Sequence, residues 1–538
     1  MRRLLRWSPV LLSLCALAAC SRYWTARFSS PTAADVDQSA PFVKCHLPSG
    51  DVYVLTEWSL SDTEIRGRGL HYDVDRHQSS PTPTEHVLSL SDIALLETNR
   101  PENFMHGTVA VLGVATAASL AVTAVCATNP KTCFGSCPTF YALSEAIAPA
   151  SGFTPAIAGP DASDGKGGPL MAEGFSASVA RSMEETDVDA LVGARLTPDG
   201  FLLEMRNEAL ETHFVQSLRI GVVHSEGRRV LREGDRYRPA RALHEPLRCQ
   251  AWSGGPEQAP TDCLERVRVA DGAEYVSETD GHDLAAREEI RLRFRHPPGA
   301  LGIEVRARNT LLNTFLFYQG LAYMGRSMGD YLMLLEAHAW AVEGTRAFLR
   351  TLGGIDAEVK TRAGWRPIGS FEEIGPIARD VQLWSLPADL PEGDIEIRLT
   401  LSRGNYKIDE LLLAELLPAV SPTWYLPDRA RKDGRDAPAA LASLLDPERR
   451  LMTFPGERYE LHFPVPEQRG APPQLFLESR GYYYEWGRES WLPEEDPEKV
   501  LLLFRRPRAA LVELAAAYQR IERDMDAMFW GSRVGEAP

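Results

Sequence analysis

Apolar and polar residues alternate with period two over much of this chain and change to helical spacing in only a few stretches. After a Ser49-Gly50 turn, Val52 and Val54 alternate with Asp51 and Tyr53. Leu70, Tyr72 and Val74 then alternate with His71, Asp73 and Asp75, and LSLSDIALLE closes the series. Period two sends successive side chains to opposite faces of a strand, so residues 42–100 are expected to form a small β-barrel-like module. Residues 20–41 lack a period and read as a tether.

From 128 to 308 strand signals return: CPTFYAL, FLLEMRNEA, FVQSLRIGVVH, REEIRLRFRH and LGIEVRAR are short runs between turn residues. They predict an antiparallel β-sandwich, with the Gly/Pro/Ala/Ser-rich stretch 144–170 as a linker-like insertion. At 309 the period changes. Asn309-Thr310 offers an N-cap, Leu311, Phe315, Tyr318 and Ala322 follow at helical spacing, and Gly325 can stop the helix. A second helical run follows, so 309–353 is expected to be a helical hairpin. A second β-sandwich is expected over 354–418, where Ile355, Ala357 and Val359, then Ile395, Ile397, Leu399 and Leu401, alternate. Residues 419–455 read as a connection. The remainder, 456–538, reads as strands (ERYELHFPVP, QLFLESRGYYYEW, KVLLLFR) and one amphipathic helix over 507–530. The expected class is therefore mainly β: several antiparallel sandwich or small-barrel modules, a helical hairpin insertion and a C-terminal helix.

The run 107–127 matches neither pattern. It is long enough to span a bilayer, but it holds seven Ala, five Val, two Leu and three Thr, with no Ile or Phe. Leu and Ile supply the strongest insertion energy, so the expectation is an Ala/Val-rich helix without a full crossing, either buried between the barrel and the sandwich or packed against the bilayer beside the lipid.

The N-terminus supplies an address. Arg2, Arg3 and Arg6 precede a short uncharged apolar stretch in MRRLLRWSPVLLSLCALAAC, the layout of an export signal too short for a stable anchor. Leu17-Ala18-Ala19-Cys20 resembles the lipobox of bacterial lipoproteins. That resemblance implies removal of residues 1–19, lipidation of Cys20 through a thioether, and membrane attachment by the N-terminal lipid. Ser21, not Asp, follows, which in that family implies the outer membrane, facing the periplasm or the cell surface. The resemblance ends at residue 21 and carries no activity.

Charge agrees with export. Removing residues 1–19 takes three Arg and no acid from 58 basic and 74 acidic residues, leaving −19. No Lys/Arg block offsets it, so nucleic acid is not an expected partner. Six cysteines remain beyond Cys20: Cys45, Cys126, Cys133, Cys137, Cys249 and Cys263. In an oxidising compartment they predict disulfides. Cys249 and Cys263 bracket a turn-rich loop and are the first expected pair; the tight loop CFGSC makes Cys133 and Cys137 the second. The spacing of Cys126, Cys133 and Cys137 lacks a fourth zinc ligand and a redox C-x-x-C.

Three further motifs compete with plain structural readings. Gly325-Arg326-Ser327-Met328-Gly329 matches G-x-S-x-G, yet its context is helix–turn–helix, where a nucleophile elbow needs a strand before the Ser. Ser327 is thus the one candidate nucleophile of an alternative envelope hydrolase. His71-x-Asp73-x-Asp75-x-His77 shares one strand face, but a strand rises about 3.3 Å per residue, too far for its ends to share an ion; no metal and no cofactor are expected. Tyr482, Tyr483, Tyr484, Trp486 and Trp491 form an aromatic cluster that could stack on a glycan or fill a core. The reading that fits best is a lipid-anchored envelope protein without identifiable catalysis that binds or scaffolds an envelope protein or a glycan.

Overall fold

Alternation becomes strand wherever one face can be buried, and the N-terminal sheet shows how. The computed structural model describes residues 22–29, 36–47, 51–72, 79–80, 82–93, 95–103, 138–142, 170–173, 185–254, 259–325, 348, 350–371, 375–466, 470–485 and 489–531. Six strands, β1 (Arg22–Ser29), β2 (Phe42–His46), β3 (Val52–Leu60), β4 (Glu64–Tyr72), β5 (Thr84–Ser89) and β6 (Leu95–Asn103), pair antiparallel in the order β1-β6-β2-β3-β4-β5. Val43, Cys45, Leu55, Ile65 and Leu96 share its buried core. Gly69 of β4 lies against β3, where a Cβ would overlap the Val54 carbonyl.

This sheet corrects two expectations. It is open, with β1 and β5 as its edges, so no barrel closes; closure requires a neighbour on both sides of every strand. Residues 22–29, read as tether, instead pair from Arg22↔Asn103 to Ser29↔Leu96. Their sequence does alternate, with Trp24, Ala26 and Phe28 against Tyr23, Thr25 and Arg27.

The remaining strands build two sandwiches, one nested in the sequence of the other. The outer sandwich has two sheets. In the first, β7 (Thr139–Ala142), β8 (Leu170–Glu173), β10 (Phe201–Arg206), β24 (Arg429–Lys432), β25 (Arg435–Asp436) and β27 (Arg458–Phe463) run in the order β25-β24-β27-β10-β7-β8. In the second, β9 (Glu185–Leu191), β11 (Glu211–Val223), β23 (Thr423–Tyr425) and β28 (Gln474–Glu485) run β23-β11-β28-β9, and β26 (Leu451–Thr453) also pairs with β11. Phe140, Phe201, Leu203, Leu218, Ile220 and Phe463 fill the space between them.

The inner sandwich also has two sheets. β12 (Val230–Glu233), β13 (Arg236–His244), β17 (Leu301–Asn309), β20 (Asp380–Ser385) and β22 (Tyr406–Leu416) run β12-β13-β22-β17-β20. β14 (Arg248–Trp252), β15 (Thr261–Asp262), β16 (Arg287–Phe294), β18 (Ile355–Thr361), β19 (Gly364–Phe371) and β21 (Ile395–Ser402) run β15-β14-β16-β21-β18-β19. Ile290, Phe294, Ile303, Val305, Ile397 and Leu413 are central to their shared core. Val223 and Phe476 of the outer sandwich meet Val230 and Tyr237 of the inner one in a smaller apolar cluster.

The mainly antiparallel β class is thus present, with the strands regrouped. Segments read as separate modules pair along their length: β11 with β28, from Glu211↔Glu485 to Val223↔Gln474, and β17 with β22, from Leu301↔Glu415 to Asn309↔Tyr406. The stretch 419–455, read as a connection, carries β23 to β26 and a helix. Strand pairing is non-local, and no local period declares it.

Helices are few. α1 (Leu264–Val267) follows β15, and α3 (Pro438–Leu445) lies between β25 and β26. α2 (Leu312–Met324) is the first arm of the expected hairpin: Thr310 Oγ1 accepts from Leu312 N at 3.2 Å, and Gly325 stops it at φ +50°. Residues 326–347 of the second arm lie outside the described residues. KVLLLFR is not a strand. It belongs to α4 (Pro497–Arg505), because Asp496 caps the N–H groups of Glu498 and Lys499 and Pro497 presets the first turn. The C-terminal helix is divided into α5 (Pro507–Ile521) and α6 (Met525–Gly531), with Leu511, Leu514 and Tyr518 buried.

Candidate functional site

Cys249 on β14 and Cys263 at the start of α1 form a disulfide with Cα atoms 5.1 Å apart, and both residues are buried. The hydrogen bond from Cys263 N to the Cys249 carbonyl (3.2 Å) fixes the same closure through the backbone. This is the first pair expected from the sequence. Cys45 differs: it is a fully buried free thiol, pushed up to about 12 by burial. A thiol so hard to ionise is a packing residue, not a nucleophile. Cys20, Cys126, Cys133 and Cys137 lie outside the described residues.

The most unusual chemistry sits on β17. Alternation sends Ile303, Val305 and Ala307 into the inner core and turns Glu304, Arg306 and Arg308 to the opposite face. An outward charged face normally meets water. Here the coil segments 268–275 and 375–379 contact it. Gly272 N donates to Asp409 Oδ1 (3.0 Å), Ala270 N to Glu410 Oε1 (3.3 Å), and Arg308 Nη1 to the Pro376 carbonyl. Glu304, Arg308, Asp409 and Glu410 are all buried.

Charges in this face are matched along the strands. Arg306 stands opposite Glu410 in register, and the bulge after Arg306 brings in Asp409, whose Oδ2 lies 3.3 Å from both Arg306 Nε and Arg379 Nε. Glu274 receives Arg308 through two nitrogens, at 2.8 and 2.7 Å, and Arg379 at 2.8 Å. Arg229 Nη1 reaches Glu304 Oε1 and Glu410 Oε2, each at 2.6 Å.

The electrostatics follow from burial against pairing. Burial raises Glu304 to about 7, because the Arg229 charge only partly offsets it and Glu410 adds repulsion. Burial likewise raises Asp409 and lowers Arg306. At Glu274 the Arg308 hydrogen bonds and charge overcome burial, and its carboxyl falls below the ordinary range.

A second buried set lies in the outer sandwich. His213 Nε2 donates to Glu211 Oε1 (2.8 Å), and the Thr453 hydroxyl donates to His213 Nδ1 (3.0 Å). Asn207 Nδ2 donates to the Glu211 and Thr453 carbonyls at 2.8 and 3.1 Å. His213 and Glu211 are both 0% exposed. Burial lowers His213 to about 3 despite the nearby Glu457 charge. A neutral ring with its N–H on Nε2 toward the Glu211 carboxylate leaves Nδ1 to accept from the Thr453 hydroxyl.

Other sequence candidates fall apart in space or become packing. Tyr482 is buried and stacks on Phe214 with centroids 4.5 Å apart and planes at 5°. Tyr483 is buried beside His213, and Trp491 is buried against Tyr318. These faces meet protein, which leaves them no open side for a sugar. Tyr484 lies in β28; Trp486 and Ser327 are outside the described residues. Of His71, Asp73, Asp75 and His77 only His71 is described, and it stacks on Tyr53 at 4.4 Å and lies 3.4 Å from Asp51. Among the described residues no group of three or more His, Cys, Asp or Glu is placed to hold a metal ion. Among them, too, no helix is long and apolar enough to cross a membrane, and the run 107–127 lies outside them.

No protein-family model matches this chain, and no curated protein matches it either. Its chemistry has to be read from its own residues. The sequence reading missed Arg229, Glu304, Glu410, His213 and Glu211. The one local signal was the charge alternation Glu304-Arg306-Arg308, which looks the same whether water or coil lies above it. What the array can do is hold ion pairs and take up a proton.

Proposed function

We propose that this protein is a lipid-anchored component of a bacterial envelope, held by Cys20, and that its β-modules bind or scaffold other envelope components. The observation that carries this reading is the Cys249–Cys263 disulfide at the edge of the inner core. Such bonds persist in oxidising compartments outside the cytosol, the compartment that the export signal and the lipobox-like LAAC imply. Two nested sandwiches add rigid surface, which suits a binding role.

Mass spectrometry of the mature protein tests the anchor. The expected result is an N-terminus at Cys20 with added diacylglyceryl mass; another first residue, or no lipid mass, overturns it. Crosslinking in intact envelopes tests the partner role, with a specific envelope protein or glycan recovered as the expected result and none recovered as the contrary one.

A further inference from the structure

One guanidinium in the array serves two masters at a strategic place. Arg229 ends the connection 224–229, by which the chain leaves the outer sandwich and enters the inner one. Its Nη1 lies 2.6 Å from Glu304 Oε1 on β17 and 2.6 Å from Glu410 Oε2 on β22. The next residue, Val230, donates its N–H to Gln474 Oε1 of the outer sandwich at 3.0 Å. The crossover is therefore pinned to the inner sheet by Arg229 and to the outer sheet by Val230. Glu304 is 0% exposed, and its Oε2 has no hydrogen-bond partner. A buried carboxylate oxygen without a donor is costly when charged and much less so when it carries a proton.

We propose that Glu304, Arg229 and Glu410 form a proton-responsive lock on the crossover between the two nested sandwiches, with Glu304 as the group that takes up the proton.

The charged groups around Glu304 come from each element packed on it. The connection brings Arg229, β22 brings Glu410 and Asp409, its own strand brings Arg306, and the coil 375–379 brings Arg379. Coil 268–275 adds the Ala270 and Gly272 N–H groups to Glu410 and Asp409, with Glu274 beyond them on Arg308 and Arg379. β20 places Leu383 opposite Glu304. When a proton binds Oε2, one O–H bond forms, one negative charge is lost, and Arg229 remains paired with Glu410. The repulsion between two carboxylates sharing one nitrogen ends. Acid therefore tightens the crossover: the closed arrangement holds its proton from about pH 7 downward, whereas a carboxyl freed by opening gives it up until pH 4.5.

Hydrogen exchange of the full chain tests this, read in peptides covering 224–233 and 301–309 and corrected for the intrinsic pH dependence of amide exchange. The comparison is wild type against Glu304→Gln between pH 8 and 5.5. Protection in wild type should rise relative to the variant by roughly tenfold or more as pH falls. Glu304→Gln, neutral at every pH, should lack that gain. Equal pH dependence in the two proteins overturns the proposal. Glu410→Gln is the second probe: with one carboxylate fewer beside Glu304, the wild-type gain should move to lower pH. If Glu304→Gln fails to fold, the other two proteins decide, since a flat wild type or an unmoved midpoint in Glu410→Gln overturns the lock.

Discussion

Joining Cys249 to Cys263 restrains the unfolded chain, because the bond keeps a sequence separation of 14 residues closed when the fold is lost. A loop of that size is worth about 3 kcal/mol in the chain-entropy account. Cys249→Ser with Cys263→Ser should therefore lower stability by about 3 kcal/mol, read as a shifted denaturant midpoint; an unmoved midpoint would contradict it. His213 acts through protons. Its ring sits at about 3 in the fold against an ordinary 6.5, so the unfolded chain takes up a proton below pH 6.5 that the fold refuses. Its contribution is fully present above pH 6.5 and is lost as pH falls toward 3. Against that background, His213→Gln should be less stable than wild type at pH 7.5 but lose less melting temperature on going to pH 5. Glu304, raised to about 7 from 4.5, has the opposite slope. The cysteine pair was readable because turn residues between two cysteines bring them together in one segment. The Glu304 and His213 sites were not, because each needs residues far apart in the chain: Arg229 with Glu304 and Glu410, and His213 with Thr453.

Elements obey local rules where their ends are chemically marked. Asp496 ahead of Pro497 makes KVLLLFR a helix although its composition suits a strand. Asp496→Ala removes the acceptor for two N–H groups and should cost about 1 kcal/mol, visible as faster hydrogen exchange confined to 497–505; unchanged exchange would deny the cap its role. In the N-terminal sheet, Gly69 keeps β3 and β4 in contact. Gly69→Ala should cost about 1–3 kcal/mol through overpacking and raise exchange in 52–72, whereas unaltered protection there would show that the strands can yield. The alternation of Leu70 and Tyr72 touched only the end of β4, whose buried face is the opposite one, Ile65, Gly67 and Gly69, whereas Thr310 with Gly325 announced the ends of α2. The short strands β23 to β26, of two to four residues, fell below any period a sequence can display.

At the level of the whole molecule, the arrangement rests on pairings that skip the inner sandwich. β11 meets β28 at Glu211↔Glu485, and β10 meets β27 at Phe201↔Phe463, while every strand of the inner sandwich lies between 230 and 416. The sequence announced long strands such as β11, β16, β17, β22 and β28 but not β1, β9, β13 or β19, and it could not announce this order, since a strand's alternation names the face it buries and not its neighbour. The nesting also imposes a timetable on synthesis. A chain delivered N-terminus first completes its inner body while β11 still presents a bare edge and the apolar stripe Val215, Leu218 and Ile220. A chain stopped short of Gln474 never covers that edge. Nascent-chain proteolysis should find the inner strands β12 to β22 resistant early and 201–223 cleavable until release, so a late nonsense mutation would yield a sticky, chaperone-bound fragment in place of a slightly shortened protein.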